Sequence, residues 1–149
     1  MKQLQLREVA ERVLFSSSLE EKLRLAPAEA GDDVRGKAIL TPDNPGRPGG
    51  LQISPRSMRA EFPGIHAIGQ ERERGMLLHF LANHELLAAE LMALVLLRFP
   101  DAPGEYRAGV YSAMREEQVH TQLYLRRMRE CGVEFGQLPL NDYFLARDS

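Results

Sequence analysis

Two stretches of helical periodicity, residues 67–99 and 104–131, meet at Phe99-Pro100-Asp101-Ala102-Pro103-Gly104, and that junction limits the fold more than any other feature. A proline inside a helix loses a backbone hydrogen bond and clashes with the preceding turn, so the two patterns are separate helices rather than one rod. Helices joined by so short a segment run antiparallel and side by side. Asp101 is available as an N-cap and Pro103 suits the first turn of the second helix. Gly132 stands where a capping glycine ends that helix.

The rest of the chain is organised around this hairpin. Leu4, Leu6, Val9, Val13 and Leu14 recur at three- and four-residue spacings among charges, which predicts an amphipathic helix over 3–15. Ser18 and Glu21 form a capping-box pattern opening a second short helix through Leu25. Residues 31–64 hold Pro42, Pro45, Pro48, Pro55 and Pro63 with several glycines and support neither a continuous helix nor a central strand. A connection this long is functional or partly disordered, and its Arg47, Arg56 and Arg59 read as solvated loop charges. The tail, 132–149, with Tyr143 and Phe144, reads as a loop lying over the helices. The expectation is a single all-α domain over residues 1–149. It has N-terminal helices over 1–30, an extended loop over 31–64, the long hairpin over 65–131 and the tail.

Charge and cysteine content narrow the function classes. Nineteen Lys and Arg against 21 Asp and Glu leave a net charge of −2, which offers no general attraction to nucleic acid or anionic lipid. The apolar run from Met76 to Phe99 is long enough to raise the membrane question, but His79, Asn83, His84, Glu85 and Glu90 interrupt it. The start of the chain mixes charges among its apolar residues and lacks the core of a secretory signal. One cysteine, Cys131, excludes an intrachain disulfide framework and a thiolate metal cluster. A cytoplasmic protein, without a membrane span, is expected.

The chemistry lies in Glu117-Gln118-Val119-His120. On a helix, a carboxylate and an imidazole three residues apart share one face and can reach one metal ion. Glu117 falls on a stripe with Val110, Ala113, Met114, Thr121 and Tyr124, and Glu85 on one with Leu78, Leu81, Ala82, Ala88, Ala89 and Met92. Both stripes are expected to be buried, where an unpaired carboxylate costs several kcal/mol unless a proton, a hydrogen bond or a cation relieves it. Glu85 precedes Arg98, and Glu117 follows Gly104, by equal numbers of residues, so at about 1.5 Å per residue both stand roughly 20 Å from the turn. Two glutamates and a histidine at one height on facing stripes are half of a carboxylate-bridged di-iron or di-manganese site of ferritin-like bundles. Oxygen and imidazole donors suit iron or manganese. Glu90, Tyr124 and His84 are candidates to orient the ligands by hydrogen bonds, although Tyr124 reads more readily as an ordinary core tyrosine. His84, which by spacing points away from Glu85, reads more readily as a satisfied interior or interface histidine. His79 lies on another face from Glu85.

The sequence resembles a known family at this point. His79-x4-His84-Glu85-x4-Glu90-Leu91 followed by Glu117-x-x-His120, with Arg12-Val13-Leu14, Leu19-Glu20-Glu21-Lys22 and Pro45-Gly46-Arg47-Pro48 upstream, is similar to the bacterial ferritin-like family of unknown function catalogued as family 455. The resemblance implies a four-helix, di-metal carboxylate fold in which Glu85, Glu117 and His120 are the first half of the ligand set. The family pattern continues through two further helices bearing a second Glu and a second Glu-x-x-His, and the likeness covers its N-terminal half. Two copies of the hairpin about a two-fold axis would complete the set, so a homodimer is expected, with a partner chain carrying two helices, or a truncated or degenerate relative whose metal site never forms, as the alternatives. The functional expectation is an oxidoreductase using oxygen or peroxide on a small molecule or metal ion. Alternatives are an iron-handling or ferroxidase protein, and a helical interaction module whose polar interior only sets pairing register.

Overall fold

The two long helices and the segment wrapped around them account for the architecture. The computed structural model describes residues 3–42, 44–54 and 69–140. Among the described residues there are four α-helices, α1 (Leu6–Phe15), α2 (Leu19–Leu23), α3 (Glu71–Arg98) and α4 (Gly104–Glu130), with a 3-10 turn at Gly49–Leu51 and no strand. The partners of α3 and α4 step in opposite directions: Arg107 reaches the carbonyl of Leu96, His120 lies beside Glu85, and Val133 abuts Gly75. The pair is therefore an antiparallel hairpin. Helix α1 packs on α3, and α2 on α4.

Buried side chains form two apolar clusters. Toward the turn, Leu6, Val9, Val13 and Leu14 of α1 meet Ala89, Ala93, Leu96 and Leu97 of α3 and Tyr111 and Met114 of α4. Toward the other end, Leu23 joins Ala82, Leu86, Leu125, Met128 and Val133. Between them Gln118 is fully buried; it donates to the carbonyls of Lys22 and Arg24 at 3.0 and 3.2 Å and accepts from the amide of Ala26 at 3.2 Å, fixing α2 to α4. Helix α3 is long and apolar enough, by composition, to cross a membrane, yet 56% of its apolar window is buried inside the protein. Its buried polar residues His79, Asn83 and Glu90 also mark it as a core helix.

The helix ends show which capping expectations the structure meets. Ser18 caps α2, its hydroxyl accepting from the amide of Glu21 at 3.3 Å, while the Glu21 carboxylate pairs with Arg24 instead of closing a box. At the end of α4, Gly132 adopts φ +78°, Gly132 N–H donates to the Arg129 carbonyl and Val133 N–H to that of Met128, the paired closure that a left-handed glycine permits. At the hairpin turn the expectation is corrected. Pro103 itself occupies the N-cap of α4, which makes no side-chain capping bond, and Asp101 lies two positions outside it.

The turn is secured from elsewhere. Arg107, 1% exposed, donates to the carbonyls of Leu96 and Phe99 at 2.8 and 3.0 Å and forks onto the Asp32 carboxylate at 2.9–3.1 Å. Arg35 donates to the carbonyls of Pro100 and Ala102. Both interactions come from the proline-rich connection, which is a docked strap through residue 54 rather than a loose loop. Gly31 and Leu4, Ile39 and Leu97, Gly46 and Leu14, and Ser54 and Leu140 exchange single backbone hydrogen bonds of 2.7–3.2 Å. A side chain at Gly46 would collide with the Phe15 carbonyl, so only glycine lets the strap approach α1 this closely. Isolated bonds to different elements leave no period in the sequence, which is why this segment reads as structureless. Arg56, Arg59, Tyr143 and Phe144 lie outside the described residues.

Candidate metal centre

Helical register brings Glu85, Glu117 and His120 together. One donor atom from each lies within 4.8 Å of the others. Nδ1 of His120 is 3.8 Å from Oε2 of Glu85 and 3.6 Å from Oε2 of Glu117. Donor atoms sharing an ion at about 2.1 Å stand roughly 3–4.2 Å apart, so these separations fit a common ion after a small closure of the side chains. They are too long for hydrogen bonds. Oε2 of Glu117 is buried and has no hydrogen-bond partner among the described residues.

The stripe carrying these groups differs from expectation in burial. The side chains of Glu85 and Glu117 are each 22% exposed and that of His120 is 47% exposed. Leu81, Ala88 and Met92 of α3 and Val110, Ala113 and Tyr124 of α4 are likewise half-buried. The hairpin buries the opposite face of α3 against α1 and the strap, and among the described residues no helix covers this one. A shallow cleft of about 220 Å³ opens beside His120, lined by Leu25, Ser112, Arg115, Glu116 and Val119.

The candidates for orienting the ligands sit elsewhere. Glu90 is fully buried and both its oxygens are taken: Oε2 by Nε of Arg47 and by Nζ of Lys22, each at 3.1 Å, and Oε1 by Nη2 of Arg47. Arg47 also donates to Asn83 Oδ1 at 3.0 Å and to the Leu51 carbonyl at 3.3 Å, and Lys22 to the carbonyls of Leu14 and Gly46. Burial lowers the pKa of Lys22, and the adjoining Glu90 carboxylate opposes that fall. Arg47 is thus an interior residue and not a solvated loop charge, and Glu90 serves the strap rather than the Glu85, Glu117 and His120 group. Tyr124 packs against the Leu23–Met128 cluster. His84 lies parallel to Phe80, ring centres 6.0 Å apart.

His79 has a definite structural task. It is 1% exposed, its Nε2 accepts from the amides of Gly136 and Leu138 at 3.0 and 3.3 Å, and its ring packs on Phe135. Burial holds its pKa down to about 4, so the neutral imidazole anchors the segment after α4. Sequence reasoning missed Lys22 and Arg47. The signal available was Glu90 itself, a carboxylate on the α1-facing side of a helix where only cations brought from outside could satisfy it.

A family model described as "Protein of unknown function (DUF455)" matches residues 6–148. Neither a curated protein nor a solved structure matches the chain.

Proposed function

The chain belongs to the DUF455 family, and from that premise and the geometry above we propose that it is a ferritin-like metal protein whose Glu85, Glu117 and His120 hold iron or manganese. The observation that carries this reading is the convergence of two carboxylates and an imidazole from facing helices, one carboxylate oxygen buried without a donor. The donor chemistry suits these metals, since hard oxygen ligands with one imidazole favour them over thiophilic ions.

The three groups form half of a di-metal ligand set. A second copy laid over the half-buried face completes it, supplying another Glu85, Glu117 and His120 about a two-fold axis and closing a four-helix bundle. The metal pair, when bound, supplies electron transfer to oxygen or peroxide, and the protein is an oxidoreductase acting in the cytoplasm on a small molecule or metal ion. The chain's own part is to fix both carboxylates at one height, to present Nδ1 of His120 between them, and to leave the cleft beside His120 as an approach. Iron handling uses the same ligands and differs in turning over only the metal.

One observation favours a second, metal-free reading. His120 set between two carboxylates is a polar trio that would fix the register of helix pairing without any metal. Metal analysis of freshly purified protein, alongside Glu117→Ala, separates the two. Stoichiometric iron or manganese that the variant loses, with oxygen consumption on adding ferrous iron, is the expected result. A parent protein that retains no metal after incubation with either ion overturns the proposal.

A further inference from the structure

We propose that the cleft beside His120 is the seat of the metal centre's substrate, and that it takes a small monocarboxylic acid with an apolar body. This rests on the metal reading above and names the class of molecule on which the centre acts. Three side chains of α4 hold one wall of the cleft, the segment that follows α2. Tyr111 donates to the Pro27 carbonyl at 2.7 Å and Arg115 Nε to the Ala26 carbonyl at 2.7 Å. Buried Gln118 accepts from the Ala26 amide at 3.2 Å. Leu25 is thereby fixed beside the α4 residues that line the cleft, which is formed before anything enters it.

Size, surface and charge define the occupant. A space of about 220 Å³ lies below the range of drug-sized ligand pockets and, at roughly 30 Å³ per water, has room for about seven water-sized groups. Leu25 and Val119 are 51% and 42% exposed, large apolar side chains that gain from being covered by a hydrocarbon body. Arg115 supplies the charge. Its Nε is spent on Ala26, which holds the guanidinium in place, and among the described residues no carboxylate stands within ion-pair distance of its two Nη groups. A guanidinium fixed at one edge with its fork free is a receptor for a carboxylate. Glu116, next to Arg115 in the same cleft, brings the local charge to zero and repels a second anionic group, which turns away dicarboxylates and phosphate. His120 is the wall that the cleft shares with the two carboxylates, so a body lying on Leu25 and Val119 ends beside the metal ligands.

The test is titration of the full chain with isovalerate, isopentylamine and glutarate, in chelator and again with manganese(II), followed by calorimetry and by the imidazole resonance that His120→Asn lacks. The expected result is saturable isovalerate binding in chelator that shifts this resonance, no binding of isopentylamine, and glutarate weaker by about tenfold. Arg115→Gln weakens isovalerate by about tenfold or more. That change also releases the Ala26 carbonyl, so Glu116→Gln is made beside it; this variant keeps every wall bond and should bring glutarate level with isovalerate. Isopentylamine binding as well as isovalerate shows an apolar patch alone and overturns the assignment. Saturation that leaves His120 unmoved, or no saturation at all, overturns it whatever metal the protein holds. Isovalerate bound only with manganese, and equally by Arg115→Gln, puts the acid on the metal and overturns the cleft. Isovalerate bound in chelator by a protein that retains no manganese leaves the carboxylate cleft standing and overturns its part as a substrate seat. If Arg115→Gln loses its helical circular dichroism, Glu116→Gln and the isovalerate against isopentylamine comparison on the parent decide the matter.

Discussion

Histidine 79 shows how one side chain couples solution conditions to local order. Its imidazole must be neutral to accept from Gly136 and Leu138, and its folded pKa of about 4 lies below the ordinary 6.5. The unfolded chain therefore binds a proton first as pH falls, so the stabilisation is whole above pH 6.5 and is lost between 6.5 and 4. The loss at pH 4 amounts to about 3 kcal/mol. Urea unfolding of the parent and of His79→Leu across that interval should show a slope in the parent that the variant lacks. A parallel pair of profiles would remove His79 from the account. Individual residues were legible unequally. Glu85, Glu117 and His120 could be set at one level by counting from the turn, because a helix has a fixed rise. Lys22 and Arg47 could not be assigned to Glu90, because nothing local says which of many cations a buried carboxylate takes.

At the scale of elements, periodicity located α1, α3 and α4 and the Ser18–Glu21 pattern located α2, with boundary shifts of a few residues at most of their described ends. Gly132 marked the end of α4 through its backbone conformation. The connection through residue 54 was the failure, since a segment held by one bond here and one there has no repeating pattern to read. Its consequence is greatest at the hairpin turn, where Asp32 and Arg35 do the work assigned to Asp101. Arg107→Met leaves the Leu96 and Phe99 carbonyls without their guanidinium donor and Asp32 without its forked partner. The expected cost is about 3 kcal/mol. Hydrogen exchange should rise at residues 96–103 and also at 31–35, far away in sequence; a rise confined to the turn would mean that the strap is not what holds it.

For the molecule as a whole, metal binding to the folded state alone should appear as stability. Manganese at a hundred times its dissociation constant adds about 2.7 kcal/mol, roughly 5–10 °C in melting temperature for a domain of this size. Glu117→Ala should melt at the same temperature with or without the ion, and an equal rise in parent and variant would place binding elsewhere. The sequence announced a mostly helical protein and the level at which Glu85, Glu117 and His120 meet, but not how the first third of the chain is tied to the rest. That tie has a practical bearing on dissection. Because Glu90 is satisfied by Lys22 from α2 and Arg47 from the strap, excising the hairpin as a minimal fragment would strand an anion in its middle. Any piece to be handled alone must therefore reach back at least through α2.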